Sequence, residues 1–274
     1  MTQKSSFILA ICVAAGAEMA CPNTARASDR LFSYTYETAV LNPGATELEP
    51  WTTVRVGRDH HYLRFDNRLE FEAGVAKNLQ TALYVNSRAV NADAVDEAGV
   101  TQRTESYSFR GVSSEWKYKL SDPAAHVVGS ALYLEGGLGP HEAELELKAL
   151  LDKCLGRLTL AFNLVGEFEH EWETPGELEN EGVVEIDLGA AYRVANGFSA
   201  GLELRQVNIV EGEGELESAT LFGGPSLAYS RGEWWSVLTF MPQLGAISGA
   251  TGGDFRDVEH QEKLQLRLLL GFHL

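Results

Sequence analysis

Histidines and acidic residues occur together at several places in the chain, and such groupings can do chemistry. The set comprises Asp59, His60, His61, His141, His170 and His260, with Glu169, Glu171, Asp257 and Glu259. Imidazole and carboxylate groups in one place can ligate a metal ion or act as general acid and base. His60 and His61 are adjacent, whereas helical zinc hydrolases bind their metal with histidines four residues apart. We carry His60 and His61 forward as a candidate metal site.

Motifs that would fix a nucleophile or a bound ion are missing. The sequence contains no G-x-S-x-G segment, which is the usual setting of a hydrolase serine. It also has no twelve-residue calcium-binding loop with the usual spacing. We therefore predict no catalytic residue, no cofactor and no enzymatic activity.

A larger set of charged residues occupies alternate positions between apolar ones. The set is Arg55, Arg64, Asp66, Arg68, Glu70, Glu115, Lys117, Glu144, Glu146, Glu167, Glu169, Glu185, Asp187, Glu203, Arg205, Lys263 and Arg267. Charges on one enclosed face must pair or meet water, because burying them alone costs several kcal/mol. Two interpretations stay open: a ladder of ion pairs that fills a narrow lumen, or a lined pore whose acidic excess favours cations.

The elements that would position these charges are strands. Polar and apolar residues alternate with period two almost throughout, which is typical of strands with one apolar and one polar face. Short turns also alternate with longer loops, as in the meander of an outer-membrane barrel. We predict an all-β fold, a single antiparallel up-and-down transmembrane β-barrel of about twelve strands, within a range of ten to fourteen. The strands are expected at 47–57, 62–74, 79–88, 104–120, 127–138, 142–152, 157–171, 182–194, 198–209, 215–229, 233–245 and 258–273.

One segment fits two patterns. Residues 141–155 are rich in good helix formers, and Leu147, Leu150, Leu151 and Cys154 fit a helical stripe. The same residues also fit period two. We predict a strand here, because a helix would break the parity of the meander.

The N-terminal region divides into two parts. Residues 1–27 have the form of a secretory signal peptide: Lys4, an apolar run from Phe7 to Ala17, and Ala25-Arg26-Ala27 before the expected cleavage. Residues 28–46 follow, and Leu31–Val40 within them is left over as an extra strand, a periplasmic lead-in or a partial plug. Residues 47–274 form the predicted barrel.

The apolar parity must face something other than water. The sequence offers no helices or second sheet to cover it, and aromatic residues gather near the strand ends, as at membrane interfaces. They are Tyr62, Trp116, Tyr118, Phe168, Trp172, Tyr192, Tyr229, Trp234 and Phe272. We expect outer-membrane lipid on this face, and a chain exported to the outer membrane of a Gram-negative bacterium. The formal charge of −17 argues against nucleic acid as a partner.

The mature chain resembles bacterial outer-membrane β-barrels. Its last strand, Lys263–Leu274, resembles the C-terminal signal that the outer-membrane assembly machinery reads, with Phe272 close to the end. The stretch TELEPWTTVRVGRDHHYLRFDNRLEFEAGVAKNLQTALYVN, residues 46–86, resembles the transporter barrels grouped with the MetA pathway of phenol degradation. That resemblance implies transport of hydrophobic or aromatic compounds. We predict a passive, porin-like channel for small solutes. The alternatives are an outer-membrane hydrolase with a site on the extracellular rim, and a structural barrel without transport.

Overall fold

The computed structural model describes residues 29–95, 100–174, 177–212, 214–250 and 255–274. The predicted signal peptide, residues 1–27, lies outside the described residues. The strands are β1 (Thr46–Val56), β2 (Tyr62–Ala76), β3 (Leu79–Val95), β4 (Thr101–Ser121), β5 (Gly129–Leu138), β6 (Glu142–Leu155), β7 (Leu158–Thr174), β8 (Glu177–Ala195), β9 (Phe198–Glu211), β10 (Leu216–Arg231), β11 (Trp234–Ser248) and β12 (Leu264–His273). In the described ranges, no helix is long and apolar enough to span a membrane.

These strands form one closed antiparallel barrel. Each strand pairs with its neighbours in sequence, and β12 closes the ring on β1. The prediction of a single up-and-down barrel of about twelve strands is therefore confirmed. Four of the five connections at one end are two-residue turns, Lys77-Asn78, 156–157, 196–197 and 232–233, and only the connection between β4 and β5 is longer there, so we call this the short-turn end. The opposite end is the long-connection end.

Residues 141–155 form strand β6 rather than a helix. Leu145 and Leu147 point outward and are exposed, whereas Glu144 and Glu146 on the other parity are half-buried inside the barrel. The segment pairs with both β5 and β7 along its length. Pairing on two sides satisfies every second backbone group in each direction, and this overrides the local preference for helix.

Two hairpins at the long-connection end extend further than the alternation predicted. β3 reaches Val95 and β4 starts at Thr101, where the sequence pattern placed a loop from Ala89 to Arg103. In this extension the alternation of β3 is inverted, because Val90 and Ala92 share the inward parity of Arg88 while Asn91 and Asp93 share the outward parity of Val85, and residues 101–106 of β4 are polar throughout. Arg103 and Asp93 form an ion pair of 2.9 Å across the two strands. Strands β7 and β8 likewise extend to Thr174 and from Glu177.

The outer face of the barrel is apolar from strand to strand. Its exposed side chains include Phe65, Leu69, Phe71, Leu83, Val85, Leu132, Leu134, Leu145, Leu147, Leu164, Ile186, Leu188, Leu202, Leu204, Leu227, Leu238, Phe240 and Leu268. Leu83 and Leu202 each expose 62% of their surface. A continuous apolar band of this extent is incompatible with water as its only neighbour. It has the form that the hydrocarbon layer of a membrane requires.

The chain from Asp29 to Leu41, which we call the lumen segment, contains no strand and runs inside the barrel. Its backbone N–H groups cannot use a ladder, so inward-facing side chains accept them instead, as buried amides require. The side-chain oxygen of Asn163 accepts a hydrogen bond from the backbone N–H of Tyr36 at 2.6 Å, and that of Gln80 accepts one from the backbone N–H of Leu41 at 2.8 Å. Asp152 accepts the amide and the hydroxyl of Thr38. The lumen segment is therefore bound to several strands at once.

One apolar cluster of the interior lies toward the short-turn end. Trp235, Val237 and Leu269 are fully or almost fully buried there, together with Trp51 and Tyr84. Phe32 of the lumen segment packs on Gly189, where an added Cβ would lie 2.8 Å from the ring. The close approach of ring and backbone thus depends on glycine at this position.

Candidate functional site

A cavity of about 460 Å³ occupies the interior at the long-connection end. Its floor includes Tyr34 and Tyr36 of the lumen segment and Trp51 of β1. Residues of the connection between β11 and β12, among them His260 and Glu262, contribute to its upper wall. The site is thus enclosed by the barrel at the sides and by the lumen segment below.

One side of the cavity is basic. Asp66 of β2 accepts hydrogen bonds from the Nε groups of Arg55, Arg64 and Arg88, at 2.8, 2.7 and 2.9 Å. Arg55 and Arg64 also lie directly opposite each other in the β1–β2 ladder. One carboxylate therefore serves three guanidinium groups, which leaves an excess of positive charge.

A second carboxylate completes this side. Glu262 lies 3.3 Å from an Nη of Arg55 and 3.5 Å from an Nη of Arg58. Burial alone would raise the pKa of the Glu262 carboxyl, but Arg55 and Arg58 outweigh it and lower that pKa. Glu262 is therefore a carboxylate at neutral pH. We call Arg55, Arg58, Arg64 and Arg88 the basic wall; its four cations have two carboxylate partners.

The other side of the cavity is acidic, and its side chains come from β6, β7 and β8. We call this set the acidic wall: Glu142, Glu144, Glu146, Glu167, Glu169, Glu171 and Glu181. In the β6–β7 ladder the glutamates face each other in three successive inward pairs, Glu142 with Glu171, Glu144 with Glu169, and Glu146 with Glu167. Like charges directly opposite in a sheet are destabilising. Their repetition therefore needs a compensating cation or a functional reason.

Two cations compensate part of the acidic wall. Arg110 of β4 makes ion pairs with Glu142, Glu169 and Glu171. Lys148 lies 3.0 Å from Glu146. Among the residues that the structure describes, no lysine or arginine is within salt-bridge distance of Glu144 or Glu167. The acidic wall keeps a negative excess.

Cations clamp the aromatic floor. Arg267 lies over the ring of Tyr34 at 3.7 Å and Arg205 at 4.4 Å. Lys148 lies over the ring of Tyr36 at 4.3 Å. Such cation–π contacts stabilise partly desolvated rings by up to about 2 kcal/mol each. Arg205 also makes a two-point contact with Glu185, at 2.6 and 2.7 Å, which fixes its position.

The residues proposed from sequence to line a pore separate into two groups. Those on the cavity are Arg55, Arg64, Asp66, Arg68, Glu144, Glu146, Glu167, Glu169, Glu185, Asp187, Arg205 and Arg267. Deeper in the barrel, Glu115 accepts the Tyr84 hydroxyl, and Glu70 lies with Glu115 in a buried carboxylate group. Lys117 is buried in the same part of the lumen, Glu203 accepts amides of the lumen segment, and Lys263 packs beside Gly57.

The histidines near the long-connection end have separate partners. His61 contacts the Asn91 amide oxygen at 2.8 Å, while His60 is exposed and lies 3.7 Å from the carboxylate of Asp59. His60 and His61 thus have different partners, and a metal site at these two residues stays a prediction from the sequence. His170 contacts Asn180 at 2.7 Å.

His260 has two carboxylate partners, Asp257 at 3.0 Å and Glu217 at 3.1 Å. Ser218 donates to Asp257 rather than to His260. Ser218 and His260 therefore do not form a nucleophile–base pair, because the Ser218 hydroxyl faces the Asp257 carboxylate and not the imidazole. Asp257 also accepts the backbone N–H of His260, so the cluster fixes the turn before β12.

Several cavity residues escaped the sequence analysis. Arg58, Arg88, Glu142, Glu171 and Glu181 line the site but lie in, or at the edge of, stretches interpreted as loops or strand ends. Arg110 also lines the site; it lies within the predicted strand 104–120 but on the parity opposite to Glu115, and the register shift of the β3–β4 ladder falls at this residue. Extending the parity of β3 from Gln80 to Arg88 would have pointed Arg88 inward. Tyr34 and Tyr36 carry no such signal, because the lumen segment does not follow a ladder.

Comparisons with known proteins give a family and a fold. A family model described as "Family of unknown function (DUF6662)" matches residues 24–274. No curated protein matches the chain. Among solved structures, the COG4313 outer membrane channel from Pseudomonas putida F1 is 13% identical with a TM-score of 0.60, covering 89% of this chain and 100% of that one.

Two porins have the same fold at lower similarity. The NanC porin is 11% identical with a TM-score of 0.54, over 83% of this chain and all of that chain. The KdgM porin, solved in complex with disordered oligogalacturonate, is 9% identical with a TM-score of 0.50, over 82% of this chain and 98% of that chain. At such identities the likeness establishes the fold.

Proposed function

The chain belongs to the DUF6662 family of unknown function, and we propose that it is an outer-membrane channel for small solutes. The observation that carries this proposal is the charged cavity of about 460 Å³ inside a closed barrel. A barrel that served only as a scaffold would gain more stability from an interior filled with paired or apolar side chains. The like-charge pairs of the acidic wall favour a role in solute binding.

The location in the outer membrane of a Gram-negative bacterium is part of the same proposal. It is supported by the apolar outer face, by the fold of the solved channels, and by the signal peptide that the sequence predicts at residues 1–27. The predicted contact of the C-terminal strand with the assembly machinery belongs to it as well. Outer-membrane lipid would then cover the leucines of the outer face.

The lumen segment determines the conducting state. It lies across the barrel below the cavity, so that a solute that enters from the long-connection end meets Tyr34 and Tyr36. Passage requires the segment to move aside. The bonds to Glu203, Asn163, Asp152 and Gln80 hold it. Hydrogen bonds to a carboxylate such as Glu203 contribute about 1.5–3 kcal/mol each, and those to the neutral amides of Asn163 and Gln80 about 0.5–1.5 kcal/mol. We propose that a small fraction of molecules is open at any time.

Ion currents through the purified protein in a planar bilayer test this proposal. The wild-type protein is expected to show rare openings, and Glu203→Gln is expected to show them several-fold more often. Glu105→Gln, an exposed residue of β4 away from the lumen segment, serves as the matched control. Absence of current from the wild type and from Glu203→Gln, both folded by heat-modifiable gel migration, would favour the structural barrel without transport.

Aromatic solutes are a second candidate. Residues 46–86 resemble the MetA-type transporter barrels, a resemblance that implies hydrophobic or aromatic compounds, and Trp51 of that stretch lies on the cavity floor with Tyr34 and Tyr36. Uptake of phenol by proteoliposomes, compared with uptake of charged solutes, would distinguish a channel for aromatic solutes from a channel for charged ones. The rim hydrolase alternative has no nucleophile–base pair to support it at His260, and turnover of lipid or peptide substrates would be needed to revive it.

A further inference from the structure

We propose that the cavity selects small zwitterionic solutes, with their anionic group on the basic wall and their cationic group on the acidic wall. This inference rests on the proposed channel function and names its solute class. Four observations support it. They are the placement of the two walls, the unused hydrogen-bond donors of the basic wall, the unpaired carboxylates of the acidic wall, and the size of the space between the walls.

The two walls lie on opposite sides of the barrel. In the closed ring of strands, β1 is half a turn from β7, and β2 is half a turn from β8. The basic wall comes from β1 to β3 and the connection after β1, and the acidic wall comes from β6 to β8. The topology therefore sets an arginine surface and a glutamate surface face to face across one cavity.

The basic wall has hydrogen-bond donors to spare. Arg64 and Arg88 use their Nε groups on Asp66, and within the described parts of the chain their terminal Nη groups make no hydrogen bond. Both side chains line the cavity. A planar guanidinium end that is free on one edge suits a carboxylate or phosphate, which it can bind in two-point fashion.

The acidic wall has acceptors to spare. Glu144 and Glu167 line the cavity without a lysine or arginine at salt-bridge distance in the described ranges. Each belongs to a cross-strand pair of glutamates, Glu144 with Glu169 and Glu167 with Glu146. A cationic group of a solute that entered between these pairs would relieve their repulsion. An ammonium or a quaternary amine carries the required charge.

Opposed walls discriminate by repulsion as well as by attraction. A purely anionic solute on the basic wall would be repelled by the acidic wall opposite. A purely cationic solute on the acidic wall would be repelled by the basic wall. A molecule that carries both charges satisfies both walls. A space of about 460 Å³ lies in the range of small-molecule sites, which suits an amino acid, a betaine or a short peptide.

The test compares three probes of equal length: 6-aminohexanoate, hexanoate and hexylammonium. Their binding to the detergent-solubilised full-length protein would be measured by titration calorimetry. We expect 6-aminohexanoate to bind about tenfold more tightly than either singly charged probe, which corresponds to one additional charge-assisted contact. Arg64→Gln with Arg88→Gln should remove this preference, and so should Glu144→Gln with Glu167→Gln. Arg103→Gln, exposed outside the cavity, is the control and should keep it.

Each other outcome is decisive. Hexanoate binding as tightly as 6-aminohexanoate would show an anion site, hexylammonium binding as tightly would show a cation site, and no binding of any probe would show no site; each overturns the inference. Bilayer currents from the same preparations separate this result from the channel proposal. Currents without a zwitterion preference leave the channel in place, whereas the preference without currents leaves a binding site on a barrel that does not conduct.

Discussion

The carboxylate of Glu203 accepts the backbone N–H of Tyr34 at 2.8 Å, and this bond ties the floor of the cavity to strand β9. The same carboxylate accepts the amides of Ser33 and Thr35, at 3.0 and 2.9 Å, and the hydroxyl of Thr239 at 2.7 Å. Three consecutive amides on one anion form a compact anchor, because each bond is charge-assisted. Glu203 therefore accepts the backbone hydrogen bonds of the lumen segment that a neighbouring strand would accept in a sheet.

Loss of this anchor should expose the three amides. In Glu203→Gln one oxygen is replaced by an amide nitrogen, which cannot accept. We expect the backbone N–H groups of residues 33–35 to exchange with solvent at least about tenfold faster than in the wild type, which corresponds to a loss of about 1.4 kcal/mol. Hydrogen exchange followed by mass spectrometry of the N-terminal peptide measures this. Unchanged protection would mean that the other contacts hold the segment.

The contact of Phe32 with Gly189 offers a second, independent way to weaken the binding of the lumen segment. Gly189→Val should displace the ring, because even a Cβ would lie 2.8 Å from it, and overpacking of this kind costs about 1–3 kcal/mol. We expect more frequent openings in bilayer recordings. Gly166→Val on β7 is the matched control, since a Cβ there meets nothing within 4 Å. Equal opening frequencies in the two variants would refute the contact's role.

Proton binding to Glu37 should stabilise the docked segment. Burial raises the pKa of Glu37 to about 7, against the smaller opposing effect of Arg30. A carboxyl group whose pKa is raised in the docked form stabilises that form at pH values below its ordinary pKa. This contribution is lost as the pH rises through about 7. Opening should therefore increase between pH 5 and pH 8. Bilayer currents across this range measure it, and Glu37→Gln should flatten the profile; a wild-type profile that is already flat would contradict it.

The outer face can be tested by placing a charge on it. Leu188 of β8 exposes 45% of its surface to the surroundings of the barrel. Leu188→Arg should reduce the free energy of unfolding in lipid vesicles by about 2–4 kcal/mol if hydrocarbon surrounds the site. Val127→Arg, in the exposed turn between β4 and β5, should change it by less than about 1 kcal/mol. Equal and small effects at both positions would argue against lipid at Leu188.

Alternation carried most of the fold. The parity of Leu145 and Glu146 predicted both a strand and its inward face, and the same rule applies to nearly every other strand because period two is a local property of the chain. The rule failed in the β3–β4 extension, where Asp93 and Arg103 stand on the parity that carries apolar side chains elsewhere in these strands. There the ladder continues but its sequence signal does not.

The cavity depends on contacts that no local pattern contains. Glu203 and Tyr34 are 169 residues apart, and Tyr36 and Asn163 are 127 apart. The separation of the two walls follows from the order of strands around the ring, which turns inward charges of a given sign into a surface. Sequence reasoning could list those charges, but their partners, such as Arg88 with Asp66, come from register.

The side-chain anchoring of the lumen segment also fixes an order of assembly. Its acceptors Gln80, Asp152, Asn163 and Glu203 lie on β3, β6, β7 and β9, so the binding site for residues 29–41 is created by strands that follow much later in the chain. Residues 29–41 can therefore dock only after these strands have assembled. The segment that comes first in the described chain is then the last to dock, and a barrel that closes in the wrong register would leave residues 29–41 open to cleavage by proteases.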